Sequence, residues 1–248
     1  QDIPQIFRPY DHAKRFQRSA DRMCMPHVPE DMFVEAVSLV SSLYRDLIPK
    51  EHNSSLYVRP ALYGDDYSLV ITPSEHYSFT VHVAPTLPFA PGMKSVLIGR
   101  ARALGCATSL WLDPIEARYI EELSLMNFFA VIDGELHTPV LKDSFLPGLT
   151  RRSVLALAAH HGIKAAEARI DINELLDQIK NGRCTEVFST GTAAVISPVR
   201  SFKEADGSEF IISEEIGVVT TKLREHLVGI QEGSHDDVFG WMHTVASR

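Results

Sequence analysis

The chain has 248 residues, 45% of them apolar and 23% charged, with a net charge of −8. That length and composition suit one large or two modest globular domains with a full hydrophobic core. The acidic balance, with both signs interleaved, argues against a nucleic-acid or anionic-membrane surface, and no window approaches the roughly 18 apolar residues of a membrane span.

The N-terminus "QDIPQIFRPY" has neither the basic start nor the apolar run of a signal peptide, and it begins without Met. Cys24, Cys106 and Cys184 are far apart, odd in number and without a C-x-x-C. They read as reduced, buried thiols of a cytoplasmic protein.

"PEDMFVEAVSLVSSLYRDLIP" reads as a helix: Phe33, Val37, Val40, Leu43 and Leu47 recur at helical spacing between Pro29 and Pro49. "SLYVRPALYG" and "YSFTVHVAP" read as strands, the second by alternation of Tyr77, Phe79, Val81 and Val83 with Ser78, Thr80 and His82. The Pro-rich "APTLPFAPG" marks a boundary near residues 90 to 101. "SVLIG" and "TSLWLD" are further short strands, and "NFFAVIDGELHTPVL" is two strands about Asp133-Gly134. "TRRSVLALAAHHG" is a helix that Gly162 caps, and "DINELLDQIKNG" one that Asp171 and Glu174 open as a capping box. "TEVFSTGTAAVISPV" is strand, tight turn, strand, and "EIGVVTTKLREHLVGIQEG" an amphipathic helix. The class is α/β with mixed, mainly hairpin-connected strands.

No G-x-G-x-x-G, Walker A, H-E-x-x-H or G-x-S-x-G occurs. His160 and His161, adjacent on a helix, point in different directions and make a poor metal site, and His82 reads as structural. Three patterns stand out. In "SLYVRP", Tyr57 and Arg59 share one strand face, either as a carboxylate-binding pair or as a cross-strand surface pair. In "STGTAAV", small residues around Gly191 expose backbone N–H groups beside a Thr hydroxyl, either an anion nest or an ordinary turn. In "FLPGLTRRS", Pro147-Gly148 leads straight into a helix at Leu149 and Thr150, a phosphate site or a plain cap. Two anion sites in one chain suggest a phosphorylated cofactor.

These elements resemble one family. "IFRPYDHAKRFQRSADRMCMP", "SLYVRPALYG", "GCATSLWLD", "YIEELSLMNFF", "LHTPVLKDSFLPGLTRRSVL", "TEVFSTGTAAVISPV" and "LVGIQEGSHDDVFGWM" occur in the order found in branched-chain amino acid aminotransferases, pyridoxal-phosphate enzymes of fold type IV. The resemblance implies two α/β domains, an incomplete small one over residues 1–90 and a larger one over 101–248, joined by a linker and strand at 91–100. It also implies a homodimer that moves the amino group of Leu, Ile or Val to 2-oxoglutarate. Arg15 then matches the arginine on the pyridoxal phosphate (PLP), with the Leu149 and Thr150 N–H groups and the Thr192 hydroxyl completing that site. Glu122 matches the acid facing the pyridine nitrogen. Tyr57, Arg59 and Ala193 match the substrate pocket, Ala193 through the turn N–H groups that take the substrate carboxylate.

Three departures accompany the matches. The family carries a segment with Lys-x-Gly-Gly-Asn-Tyr, whose lysine forms the Schiff base, where Arg100 here joins Ala101 directly. Lys94 precedes the strand and aligns with its approach, so no catalytic residue is assigned. Some sixty residues before "IFRPY" are also without a counterpart, and Leu125 replaces a small residue or Thr beside the cofactor. Either residues are missing from the chain as given, or the deletion is real and the protein is a degenerate homologue with a binding, regulatory or altered catalytic role.

Overall fold

The computed structural model describes residues 3–52, 54–66, 73–86, 94–98, 106–204 and 206–245. In chain order its elements are β1 (Gln5–Phe7), α1 (Pro9–Arg22), α2 (Glu30–Leu43), β2 (Ser55–Gly64), β3 (Tyr77–Thr86), β4 (Lys94–Ile98), β5 (Thr108–Leu112), β6 (Ile120–Leu123), β7 (Met126–Ile132) and β8 (Glu135–Pro139). There follow α3 (Leu149–His160), β9 (Ala165–Ala168), α4 (Ile172–Lys180), β10 (Cys184–Gly191), β11 (Val195–Lys203), β12 (Glu209–Ile211), α5 (Val218–Glu232) and β13 (Met242–Thr244). They form two units, 1–89 with 236–248, and 90–235.

In the first unit, α1 opens on Pro9, whose missing N–H costs nothing in a first turn. Its apolar stripe, Ala13 and Phe16, meets Phe33, Val34 and Val37 of α2. Val58, Leu62, Phe79 and Val81 of the β2–β3 hairpin close this core, and the Phe16, Phe33 and Phe79 rings lie 5.4 to 6.1 Å apart. The sequence-based division put residues 236–248 in the C-terminal domain. Instead β13 pairs antiparallel with β1, Phe7 opposite Met242, because Trp241 packs edge-on to Phe7 and under the Arg8 guanidinium.

In the second unit the backbone pairings run β7–β10–β11–β4–β5–β6 and return to β7, a ring of strands, with β8 and β9 continuing from β7 and β12 from β11. Closure leaves fewer open strand edges. One face of β7 and β10 carries Phe128, Ala130 and Val187, packed with Leu175, Leu176 and Ile179 of α4. By alternation the other face carries Asn127, Phe129, Phe188 and Thr190, and the Phe129 and Phe188 rings stack at 5.1 Å. The helices α3 and α5 pack against each other and against β10.

Asp171 caps α4 by accepting from the Asn173 and Glu174 N–H groups, the forward half of the expected capping box. Asp133 and Gly134 both take positive φ, 51° and 78°, as a two-residue hairpin requires. One expectation fails among the thiols: Cys106 and Cys184 are buried, but Cys24 is exposed, just past the end of α1 at φ 53°. No helix among the described residues is long and apolar enough to cross a membrane.

Candidate active site

The sequence-predicted site residues fall in both units. In the first, Arg15 lies half-buried on α1. That burial lowers its pKa, partly offset by the Tyr57 phenol and reinforced by Arg18. No carboxylate pairs with Arg15 among the described residues. Tyr57 and Arg59 share the β2 face turned away from Val58 and Leu62, and the Arg59 guanidinium sits 5.2 Å from the Tyr57 ring centroid. His12 belongs to the same basic neighbourhood: burial, then Arg15 and Arg8, push its pKa down to about 4.

In the second unit, strand register builds a row. Trp111, Glu122, Asn127, Thr190 and Ile196 are successive cross-strand partners on β5, β6, β7, β10 and β11. Directly opposed residues in antiparallel strands project to the same face, so Glu122, Asn127 and Thr190 line the face that carries α3. Glu122 has no hydrogen-bond donor among the described residues; burial, then neighbouring Glu121, raise its pKa. A half-buried carboxylate without a donor is favourably placed to pair with a cation. Glu121 itself is satisfied, accepting from Ser144 Oγ at 2.7 Å. Thr190 Oγ1 is buried and has no partner among the described residues.

Three turns gather around Asn127 and Thr190. The start of α3 is held by Asn127, whose Nδ2 donates to the Leu146 carbonyl at 2.9 Å, and Asn127 Oδ1 fills the place a Cβ on Gly148 would need. Gly148 caps α3 without a side-chain bond and no acid lies in its first turn. The Leu149 and Thr150 N–H groups find no acceptor among the described residues. Arg151 is not free for an anion, since it bonds Thr138 Oγ1, the Pro139 carbonyl and Glu167. The β10–β11 turn carries exposed Thr192 and Ala193, and a Cβ on Gly191 would lie 3.2 Å from Met126 Cγ and 3.7 Å from the Leu125 carbonyl. Leu125, in the β6–β7 turn at φ 68°, is 95% exposed.

Sequence reasoning missed Glu121, Asn127 and Thr190, because their placement depends on the register of strands far apart in the chain. The residues around the Arg100–Ala101 junction lie outside the described ones, as does the Lys94 side chain. His160 and His161 do not point fully apart. Their rings are 5.3 Å apart, and His161 Nε2 and His226 Nδ1 form a 2.7 Å hydrogen bond with His235 beside them. No group of three metal-binding side chains converges among the described residues.

Known proteins resemble this chain in sequence and fold. The family profile described as amino-transferase class IV matches residues 99–202. Branched-chain-amino-acid aminotransferase 2 of Bacillus subtilis is 35% identical over 273 residues, covering 98% of this chain and 75% of its own. The branched-chain-amino-acid aminotransferase of Mycolicibacterium smegmatis is 35% identical over 272 residues, covering 95% and 74%. Both stretches are longer than this chain, so each relative carries residues inside its match that have no counterpart here. Among solved structures, the Escherichia coli branched-chain amino acid aminotransferase superposes with a TM-score of 0.80 at 26% identity, over 99% of this chain and 86% of that one. The T.th. branched-chain amino acid aminotransferase, solved in complex with N-(5'-phosphopyridoxyl)-L-glutamate, gives 0.80 at 25%, over 99% and 85%. With its mixed α/β fold of type IV, the chain belongs to the branched-chain amino acid aminotransferase family.

Proposed function

We propose that this protein binds pyridoxal 5'-phosphate and the amino and 2-oxo acids of a branched-chain transamination, Leu, Ile or Val with 2-oxoglutarate. The observation that carries the reading is the pairing, in one cross-strand row, of a carboxylate without a donor and a buried hydroxyl without a partner among the described residues. The described residues include groups of the chemistry that the cofactor's two polar ends call for. Arg15, the Leu149 and Thr150 N–H groups and the Thr192 hydroxyl would take the phosphate, Arg by its fork and the helix start by its dipole. Glu122 would take the protonated ring nitrogen, which supplies the half-buried carboxylate with a donor. When bound, the cofactor supplies an electron sink for the substrate's α-carbon. Tyr57 and Arg59 would border the substrate, and the N–H groups about Ala193 would take its carboxylate.

Moving a proton to and from that carbon needs a base. The sequence holds no lysine between Lys94 and Lys142, and this favours a second reading, a cofactor-binding homologue whose turnover is lost or altered. A homodimer and a cytoplasmic setting belong to the same proposal.

Titration with pyridoxamine 5'-phosphate, followed by fluorescence, tests the site. Binding that inorganic phosphate competes away, and that Glu122→Gln weakens about tenfold or more, supports it; absence of binding ends it. Borohydride treatment after adding PLP separates the two readings. A label fixed to one lysine, with leucine turnover, selects the enzyme. Binding without label or turnover selects the homologue.

A further inference from the structure

The turn that carries Thr192 and Ala193 is held in a conformation its sequence does not favour. Gly191 and Val195 are paired across its base, so the loop has three residues. The base residue on the return strand is left-handed here, a conformation that Gly adopts without strain. That residue is Val195, at φ 55°. A β-branched side chain in that region is strained and persists only where the surroundings impose it.

What imposes it is on α5. One guanidinium nitrogen of Arg224, Nη1, donates to the Ala194 carbonyl at 3.0 Å and to the Ile196 carbonyl at 2.6 Å. Those carbonyls belong to the residues on either side of Val195. A single charged donor thus holds the peptide that enters the strained residue, through Ala194, and the peptide one residue beyond it, through Ile196. Ala194 and Ile196 are buried, and Arg224 is half-buried. Bonds from a charged group in such a setting are worth more than neutral ones. With the two carbonyls drawn toward α5, the turn is fixed from behind while Thr192 and Ala193 stay exposed.

We propose that Arg224 is a positioning residue: it clamps Val195 in the left-handed region and so sets the Thr192–Ala193 turn to receive an anion. It touches no ligand itself. The inference rests on the proposed cofactor and substrate site and deepens it, by assigning the shape of that turn to one side chain on a different element. Lysine supplies one point charge without the planar fork and serves as a partial substitute. Glycine at position 195 needs no clamp, because it adopts positive φ freely.

The test uses the full chain as Arg224→Gln, Arg224→Lys, Val195→Gly and the double variant Arg224→Gln/Val195→Gly. Two readouts are needed: affinity for pyridoxamine 5'-phosphate, and amide hydrogen exchange across residues 191–196 in the ligand-free protein. Arg224→Gln is expected to weaken binding about tenfold and to speed exchange in the turn, with Arg224→Lys between it and the parent. The double variant is expected to recover binding to within about threefold of the parent. Unchanged exchange in Arg224→Gln overturns the proposal. So does a double variant no better than Arg224→Gln, which would make Arg224 a direct ligand or a general support of the fold. Should the parent protein bind no pyridoxamine 5'-phosphate, the site reading fails, and the exchange data alone still decide whether Arg224 clamps the turn. If Arg224→Gln does not fold, Arg224→Lys with and without Val195→Gly carries the same comparison.

Discussion

Two helices that lie side by side in the second unit begin in opposite electrostatic states. The N-terminus of α5 is saturated from within: the buried Glu186 carboxylate accepts from the Val219 N–H at 3.0 Å and from the Thr220 N–H and Oγ1 at 2.7 Å each. The N-terminus of α3 has a glycine cap, no acid and two donors without acceptors among the described residues. Both ends carry the same partial positive charge of the helix dipole. The difference lies in who supplies the negative charge: at α5 the chain's own carboxylate, at α3, on the proposed reading, the cofactor phosphate. The two ends differ in purpose, one serving the fold and the other a ligand.

The comparison can be broken at several points. The largest effect is expected at α5. Glu186→Ala strands three donors, two of them buried on Thr220, and should lower stability by about 3 kcal/mol, read by urea denaturation; a loss under half of that would deny the saturated end its role. Next is the α3 cap. Gly148→Ala and Gly148→Ser should both cost about 2 kcal/mol, because either Cβ runs into Asn127 Oδ1. Cap propensity alone favours Ser over Ala, so a stable Ser variant would show that the end has room for a cap of its own.

A smaller effect of opposite sign is expected from Thr190→Val. Removing a buried hydroxyl without a partner among the described residues should stabilise the ligand-free protein by about 1 kcal/mol. A loss of stability would mean that Thr190 is already satisfied.

The smallest effect concerns a histidine contact between the same two helices. Burial lowers the pKa of His161, at the end of α3, and of His226, on α5, with Lys222 and the neighbouring histidines adding to it. A histidine whose folded pKa is depressed stabilises fully above its unfolded value, near 6.5, and that contribution fades as pH falls through the folded value. Both rings are partly exposed, so screening leaves a loss of only about 2 °C in Tm between pH 7 and 5. The His226→Gln variant should show a flatter profile over that window, and an equal slope in both proteins would remove the pair from the account.

Much of the fold was legible because its signals are local. Asp133-Gly134 announced a two-residue hairpin, Asp171 a helix start, and the alternation in "YSFTVHVAP" a strand. β6 was not legible. "IEEL" is four residues with no alternation, and it becomes a strand only by pairing with β5 and β7. That pairing sets Glu122 in line with Asn127 and Thr190, so the row was beyond sequence reasoning, while Glu122 itself came from resemblance. Arg224 was hidden for a related reason: its partners are main-chain carbonyls about 30 residues away, which no pattern of side chains reports. Cys24 was misjudged because exposure at a helix end depends on where the chain turns next.

The pairing of β1 with β13 bears on the order in which the protein is made. Val245 N–H reaches back to the Pro4 carbonyl, and Arg8 N–H to the Trp241 carbonyl. A ribosome releases residues 3–8 early, but their partners leave the tunnel only after almost all of the described chain has been synthesised. The second unit, continuous from 90 to 235, can condense during translation; the first must hold β1 unpaired until β13 emerges. During that interval an open strand edge is available to any other nascent chain. The window for misassembly is therefore set by how long translation takes to reach residues 241–245, and it falls on the unit whose larger part is translated first.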